Sequence, residues 1–435
     1  MNSEIDHDDI DGDVAHMDDL FASMRRDGSV LRRPDGITRI FDPVIAARVE
    51  AANTEALYVG DSLIDLLKPP SARARVPWSD VRAALIERNR RLTEPRHVEA
   101  LHGRMRAFLL GHADREQDLT WLVSRAVAFA LVPPIIDGLA EADLKLVKTS
   151  QEARVGRFLT SERNSIRLRL ANFLRLRQAT RVISREVRRR LEGRTPPGED
   201  FLQSLLPFAD RLGVNRVAYL VTTVLTAASA APEFSACCLV YAMHRHPEWR
   251  DRIEREMAAL EPRELYSLPV EKLPSTLRFI KEAGRMWPFP FVVRRRAARD
   301  IEVDGVEVRK GGRYDLSSYI LHHRDDYWQD PDRFDPDRWL SPRKTATRGT
   351  YVPFGFAPRS CVGASVSHAL LLLVCELFTR SFTVEMATGA TPRLRMHGVA
   401  IPVDMIGSIR RAAQVERPLR PRSQTKKKGP ARGRP

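Results

Sequence analysis

The chain has 435 residues, of which 43% are hydrophobic and 29% are charged, and its formal net charge is +15. This length can bury a large core and a cofactor cavity within one domain. Its four cysteines lack the spacing of a disulfide framework or a zinc site, which excludes a disulfide-built extracellular module and favours a reducing cytoplasm. The N-terminal segment is polar rather than apolar, so neither a signal segment nor a membrane anchor is expected.

The two ends of the chain carry opposite charges. Residues 1–20 contain eight acidic residues and no Lys or Arg, whereas residues 417–435 contain eight basic residues and no acid. Segments of this kind bury too little apolar surface to offset the entropy of ordering, so we expect both to be disordered. The two charges cancel, and the domain expected at 21–416 therefore carries the full +15. That charge suits an acidic protein partner or an anionic substrate; nucleic-acid binding by the tail is not expected.

Between the ends, apolar residues recur mostly at helical spacing. The segments with this spacing are Val81–Arg91, Val98–Leu110, Ser161–Leu191, Val214–Ala231, Glu233–Leu260 and Leu277–Met286. The pair Pro133-Pro134 is expected to interrupt a helix. Pro232 should kink the helix around it, because it leaves the carbonyl of Ala228 without a hydrogen-bond partner.

A smaller β portion is predicted after these helices. Residues 301–308 alternate apolar and polar side chains around Asp304-Gly305, a sequence typical of a two-residue β-hairpin. The chain is therefore predicted to form a mainly α domain with a minor β portion.

The most informative segment is residues 354–363, with the sequence FGFAPRSCVG. A single cysteine, Cys361, lies between a glycine- and aromatic-containing turn and an apolar run that begins at Ala364. This pattern predicts a loop that presents one thiol at the N-terminus of a buried helix. There the helix dipole should lower the pKa of the thiol and favour the thiolate that binds metal. One thiolate cannot hold zinc, which takes about four ligands, but it can be the axial ligand of a haem iron.

This segment resembles the cysteine-ligand loop of the cytochrome P-450 superfamily, Phe-x-x-Gly-x-Arg-x-Cys-x-Gly. Phe354, Arg359, Cys361 and Gly363 match the pattern, whereas Ala357 stands where the family usually has glycine. The resemblance implies a single cytochrome P-450-like domain that binds haem b, with Cys361 as the axial ligand of the iron. It also implies that Phe354, Arg359 and Gly363 lie at cofactor-binding positions.

The resemblance extends to a charged network. Glu282 and Arg285 resemble the family's Glu-x-x-Arg helix, and Arg338 lies in a segment similar to the family's Pro-Glu-Arg-Phe. In the family these three charged groups lock together, which implies a structural network that fixes the cysteine loop. His322 and His323, which lie between these segments, are expected in an exposed loop.

Further cofactor contacts are implied by the same resemblance. Trp78 and Arg82 fit the family's Trp-x-x-x-Arg pair on a helix below the haem. Arg295 falls at the family's propionate-contacting position, counted from Glu282. Together with Arg359, these arginines would bind the two haem propionates.

One departure from the family bears on the chemistry. Family members that use dioxygen usually carry Asp or Glu followed by Thr on a long helix over the haem, where the pair relays protons. Counting back from His246-Pro247 places this pair at Ala230 and Ala231, and neither can carry a proton. Glu233 is a candidate for a displaced acid. The expected distal pocket comprises Ala227, Ala228, Ala230, Ala231, Pro232 and Glu233.

The resemblance implies a haem-thiolate oxidoreductase, a cytochrome P-450 type monooxygenase that acts on a small molecule of specialised metabolism in the cytoplasm. The two alanines leave open a peroxygenase or a non-oxidative isomerase, dehydratase or nitrene-type transferase, because none of these needs proton delivery to dioxygen. A haem-binding sensor without turnover is a further alternative. Redox partners, if used, would be an acidic ferredoxin and its reductase, since the sequence has no Gly-rich dinucleotide turn and no iron–sulfur cysteine cluster.

Overall fold

The computed structural model describes residues 22, 28–32, 36–53, 57–58, 75–76, 78–159, 166–261, 263–340, 349–396 and 398–412. The expected acidic N-terminus (1–20) and basic tail (417–435) lie outside these residues. The assignment of residues 21–416 to one catalytic domain stays a prediction.

Helices dominate the described part of the chain, as the spacing of apolar residues predicts. In chain order they are α1 (Pro43–Ala52), α2 (Trp78–Leu92), α3 (Pro95–Leu110), α4 (Leu119–Ile135), α5 (Glu141–Leu159), α6 (Ile166–Leu191), α7 (Phe201–Leu205), α8 (Ala209–Leu212), α9 (Val214–Arg245), α10 (Pro247–Ala259), α11 (Pro274–Met286), α12 (Ser318–His323) and α13 (Ala364–Glu376).

Short strands form the minor β portion. They are β1 (Val30–Arg32), β2 (Ile37–Ile40), β3 (Leu57–Tyr58), β4 (Arg75–Val76), β5 (Gln117–Asp118), β6 (Val292–Arg296), β7 (Ile301–Val303), β8 (Val306–Val308), β9 (Arg313–Ser317), β10 (Phe382–Met386), β11 (Arg393–Met396), β12 (Ala400–Val403) and β13 (Ile406–Arg411).

The largest sheet has the order β1-β2-β9-β6, in which β2 and β9 are parallel and the other neighbours are antiparallel. A second sheet has the order β10-β13-β5, and the remaining strands form two-stranded pairs. The predicted hairpin is confirmed as β7 and β8, with Val303 opposite Val306. Its turn residues Asp304 and Gly305 have φ values of 48° and 77°. Tight hairpin turns require such positive φ values, which explains the Asp-Gly sequence.

Helix α9 runs through the core and packs against α4, α6 and α13. The sequence places helical spacing in Val214–Ala231 and Glu233–Leu260, whereas the structure has one helix, α9, that continues through Pro232, and the break falls at His246. The missing N–H costs about 3 kcal/mol, which packing along the helix outweighs. Pro133 and Pro134 also lie inside a helix, in the last turn of α4.

Two described helical segments, α9 and Ala364–Ser381, are long and apolar enough to span a membrane. More than half of the apolar window is buried within the fold in each of them, 56% and 61% respectively. Core packing therefore accounts for their apolar length.

A buried ion cluster joins α11 to the segment before the cysteine loop. The carboxylate of Glu282 accepts hydrogen bonds from Arg285 Nη2 at 2.8 Å and from Arg338 Nε at 2.9 Å. It also accepts from Trp339 Nε1 at 3.0 Å. Glu282 and Arg285 are completely buried, and Arg338 is 7% exposed. The structure thus brings together the three charged side chains that the resemblance implied.

His322 and His323 are buried at the end of α12, so the expectation of an exposed loop is wrong. His322 Nδ1 lies 3.1 Å from the carbonyl oxygen of Arg285, and its Nε2 accepts the backbone N–H of Val352 at 2.9 Å. Burial, followed by the charge of Arg285, lowers the pKa of His323 to about 3. A six-residue helix has too few turns to show a helical spacing, which explains why the sequence did not reveal it.

We expect Glu282→Gln to lower the free energy of unfolding by about 3–5 kcal/mol, because it leaves two buried guanidinium groups without their anion. Denaturant-induced unfolding of the purified protein measures this change. The control is Glu385→Gln, which breaks an exposed pair with Arg410 (3.0 Å) and should have little effect. A loss below about 1 kcal/mol for Glu282→Gln would contradict the structural role of this cluster.

The buried histidines predict a pH dependence. The pKa of His323 in the folded state lies below its ordinary value of 6.5, so the native state binds fewer protons than the unfolded state. Stability is therefore fully present above pH 6.5 and declines as the pH falls toward 3. We expect His323→Phe to flatten this decline relative to wild type in the same buffers, as measured by denaturant midpoints. Parallel curves for the two proteins would show that His323 does not contribute.

Candidate active site around Cys361

The cysteine loop forms a tight turn before α13. The backbone N–H of Cys361 donates to the carbonyl oxygen of Phe354 at 2.7 Å, which closes the loop on itself. Gly355 has a φ of 75°, a backbone conformation that residues other than glycine rarely adopt. Gly363 is the N-cap residue of α13. The loop therefore presents Cys361 just before the helix N-terminus, as the sequence predicts.

Of the four cysteines, Cys361 is the one exposed to solvent, while Cys237, Cys238 and Cys375 are buried. The backbone N–H of Gly363 donates to Cys361 Sγ at 3.3 Å. Although the residue is exposed, the surrounding protein atoms desolvate its sulfur in part. This desolvation raises the pKa of the thiol above its ordinary value of 9.0. The N–H of Gly363 and the charge of Arg82 offset only part of the effect of burial.

The expectation of a lowered pKa for Cys361 is therefore wrong for the protein alone. Desolvation penalises the thiolate more than one N–H and one guanidinium stabilise it. A thiol whose pKa lies above 9.0 is protonated near neutral pH. It becomes a thiolate when it binds a metal cation, because coordination removes its proton.

Within the described ranges, no group of three or more His, Cys, Asp or Glu side chains could hold a metal ion. A single cysteine sulfur can supply one bond to a metal ion, so a metal held by Cys361 alone would need its other ligands from a cofactor. A porphyrin would supply most of the ligands of its iron, so one cysteine ligand would be sufficient for haem.

Arg82 braces the cysteine loop from α2. Its Nη1 donates to the carbonyl oxygen of Ser360 at 2.7 Å, and its Nη2 lies 3.3 Å from Ser360 Oγ. Arg82 is half-buried. Trp78 is the first residue of α2, and its side chain lies outside the described atoms.

Two further arginines, Arg295 and Arg359, lie near Tyr314 in strand β9 of the largest sheet. Arg295 in β6 is 33% exposed, and its Nε lies 3.5 Å from Glu50 Oε2. Tyr314 pairs with Arg295 across the strands, and its hydroxyl donates to Glu50 Oε1 at 2.7 Å. Arg359 is half-buried, and its charge acts on the pKa of Tyr314. Half-buried guanidinium groups in this arrangement can bind carboxylates.

Three residues of this site, Ser360, Glu50 and Tyr314, are not among those expected from the sequence. Ser360 lies inside the motif, so its position could have suggested a contact. Glu50 lies 245 residues from Arg295 along the chain, and no local pattern reports a contact at that distance.

The residues expected over the cofactor are small and apolar. Ala227 is exposed, Ala228, Ala231 and Pro232 are half-buried, and Ala230 is 7% exposed. The nearby hydroxyls bond back to the helix: Thr226 donates to the carbonyl of Thr222 at 2.8 Å, and Ser229 donates to that of Leu225 at 2.6 Å.

Glu233 does not lie beside the exposed alanines. It is completely buried, and its Oε2 lies 3.8 Å from Arg125 Nη2 on α4. The expectation of a displaced acid in the distal pocket is therefore corrected: Glu233 faces the packed interface between α9 and α4. An ion pair is what makes burial of this carboxylate tolerable.

Comparisons with known proteins place these features in a family. A family model described as Cytochrome P450 matches residues 160–407. Cytochrome P450 132 of Mycobacterium tuberculosis is 31% identical over 169 residues, 37% of each chain. The cytochrome P450 monooxygenase alnD of Emericella nidulans is 37% identical over 135 residues, 30% of this chain and 24% of that one. The matches thus span well under half the length of these relatives.

Structural similarity extends over almost the whole chain. Retinoic acid-bound cyanobacterial CYP120A1 superimposes with a TM-score of 0.73 at 17% identity, covering 92% of this chain and 95% of that one. This similarity confirms the predicted mainly α fold. The family implies a haem cofactor, and one exposed thiol with arginines nearby is a donor set that fits it. With a family match over more than half of its residues, the chain belongs to the cytochrome P450 family.

Proposed function

We propose that this protein is a haem-thiolate monooxygenase in which the sulfur of Cys361 would hold the haem iron. The observation that carries the proposal is that the exposed cysteine lies at the start of α13, in a loop that matches the family motif. Bound haem b would supply the oxidising chemistry, because a thiolate ligand favours O–O cleavage at the iron.

The loop residues would hold the sulfur in place. The N–H of Gly363 points to Cys361 Sγ at 3.3 Å and would stabilise negative charge on a thiolate. Arg82 would keep the loop in position through the backbone of Ser360, 2.7 Å away. Phe354 would contribute its backbone carbonyl to the turn and its ring to cofactor packing.

The arginines would bind and orient the cofactor. Arg82, Arg295 and Arg359 each offer a guanidinium group that is not fully buried, and guanidinium groups bind carboxylates through paired hydrogen bonds. We assign them to the two haem propionates, with Trp78 at a further contact position. The cluster of Glu282, Arg285 and Arg338 has a structural role in this proposal, which is to fix the segment that leads to the cysteine loop.

The distal wall would bind substrate without supplying a proton. Ala227, Ala228, Ala230, Ala231 and Pro232 present methyl and methylene groups, which suit a partly apolar small molecule. The hydroxyl hydrogens at positions 226 and 229 are already donated to backbone carbonyls. Proton delivery would therefore come from water or from a polar group of the substrate.

The same wall favours a second candidate function. A peroxygenase, or a non-oxidative isomerase, dehydratase or nitrene-type transferase, needs no proton relay to dioxygen. The specific observation is that Ala230 and Ala231 stand where a relay is usual and that Glu233 is paired with Arg125 instead. Turnover with peroxide or with substrate alone, and without a reductase, would distinguish this function. A haem spectrum without turnover of any kind would identify a sensor.

We expect a small-molecule substrate of specialised metabolism and, for the monooxygenase, an acidic ferredoxin with its reductase as redox partners. The net charge of +15 supports an acidic partner through long-range attraction. A cytoplasmic location stays a prediction.

Cys361→Ala is expected to abolish the absorption band typical of reduced, carbon monoxide-bound haem-thiolate proteins, because alanine offers no ligand atom. The matched control is Cys375→Ala in the same helix region. Cys375 is completely buried, and its removal should leave the band unchanged. An unchanged spectrum in Cys361→Ala would refute the ligand assignment.

Ala231→Thr is expected to lower the hydrogen peroxide released per reduced pyridine nucleotide consumed, if dioxygen is the oxidant. Acid catalysis contributes about 10²- to 10⁴-fold in enzymes, so even partial restoration should change this ratio several-fold. The control is Ala231→Val, which has the shape of threonine without its hydroxyl. Equal ratios in the two variants, together with peroxide-driven turnover in wild type, would favour the peroxygenase.

A further inference from the structure

A cavity of about 160 Å³ lies between α2, α3 and the C-terminal end of α4. Its walls include Arg88 of α2, His97 of α3 and Val366 in the first turn of α13. Nothing in the proposed function uses this cavity. Two buried nitrogen atoms in its walls, Arg88 Nε and His97 Nε2, have no hydrogen-bond partner among the described residues.

Arg88 is only 5% exposed, and its Nε has no hydrogen-bond partner among the described residues. The acids that act on it electrostatically are Asp200 and Glu199, and both are engaged elsewhere. Asp200 binds Arg190 through two hydrogen bonds of 2.8 Å, and Glu199 lies 3.1 Å from Arg96. Burial lowers the pKa of Arg88, which reflects the cost of a desolvated cation without a direct anion.

The second unpartnered nitrogen is Nε2 of His97, which is also buried in the cavity wall. The nearest carboxylate oxygen, Oε2 of Glu199, lies 3.5 Å away and forms no hydrogen bond with it. Burial, followed by the charges of Arg88 and Arg96, lowers the pKa of His97, so its ring is neutral near pH 7. A neutral imidazole can donate one hydrogen bond through this nitrogen.

The side chains that line the cavity indicate the chemical class of ligand that fits it. A guanidinium group pairs best with the two oxygens of a carboxylate or a similar planar oxyanion. Arg104 adds a second positive charge, although its Nε already donates to the carbonyl of Ala130 at 3.0 Å. Asp137 and Glu199 also line the cavity and repel any anion, so a ligand with one negative charge is disfavoured less than a ligand with two.

We propose that this cavity is a binding site for a small monovalent oxyanion, a carboxylate in the first place, held by Arg88 and His97. The occupant would lie between α2, α3 and α4 and would contact α13 at Val366. Binding to the folded state alone raises its stability. Anion binding should therefore appear as a higher unfolding temperature, independently of haem spectrum or turnover.

The test is a thermal unfolding titration of the full chain with sodium acetate, at constant pH and with ionic strength held constant by sodium chloride. We expect a saturable rise in the unfolding temperature of wild type. Arg88→Met should weaken the apparent affinity at least about tenfold, since it removes the charge-assisted hydrogen bonds. The control is Arg90→Met, which removes the same charge from the same helix at an exposed position paired with Glu87.

A rise that saturates in wild type and in Arg90→Met but not in Arg88→Met supports the site. No saturable rise in wild type, or an equal rise in Arg88→Met, overturns it, because the effect would then be absent or one of general screening. Should Arg88→Met fail to fold, His97→Phe tests the same cavity by replacing the imidazole with a ring that has no hydrogen-bond donor. Retained acetate binding in His97→Phe would also overturn the proposal.

Discussion

The carboxylate of Glu282 is the constraint from which the arrangement of the cysteine loop follows. It is completely buried and shared by two guanidinium groups, so no member can move without exposing an unpaired charge to the apolar interior. Arg285 also donates a hydrogen bond to the carbonyl oxygen of His322 at 2.8 Å, which holds the end of α12 against the cluster. His322 in turn accepts the N–H of Val352 at 2.9 Å, two residues before the cysteine motif begins. A continuous path of hydrogen bonds thus links the ion cluster to the segment that carries Cys361.

This path of hydrogen bonds leads to the segment with Cys361, and the surroundings of that residue disfavour the thiolate form. Burial raises the pKa of Cys361, and one N–H together with a braced arginine compensates only in part. This balance suits a sulfur that becomes an anion by coordination rather than by itself. It also means that the loop is shaped by its backbone bonds, such as that from Cys361 N–H to the Phe354 carbonyl, and not by the charge of the sulfur.

Helix α9 carries the buried Glu233, which lies 3.8 Å from Arg125, on one side and alanines on another. Glu233 and Arg125 compensate one another inside the interface with α4, whereas Ala227 and Ala231 remain accessible. Glu233 is only two residues from Ala231 in sequence, but its side chain is buried against Arg125. This division supports a distal wall that positions substrate and leaves proton supply to the substrate or to water.

The sequence by itself determined the helical class, the Asp304-Gly305 hairpin and the cysteine loop at the start of a helix. These features depend on periodicity, turn chemistry and residues within one short segment, which act locally. Only the tertiary structure decided that α9 continues through Pro232, that Glu233 faces Arg125 and that His322 and His323 are buried. Each of these outcomes depends on contacts between distant segments, whose free energies exceed the local preferences of the residues involved. The raised pKa of Cys361 belongs to the same group, because desolvation is a property of the surrounding fold and not of the motif.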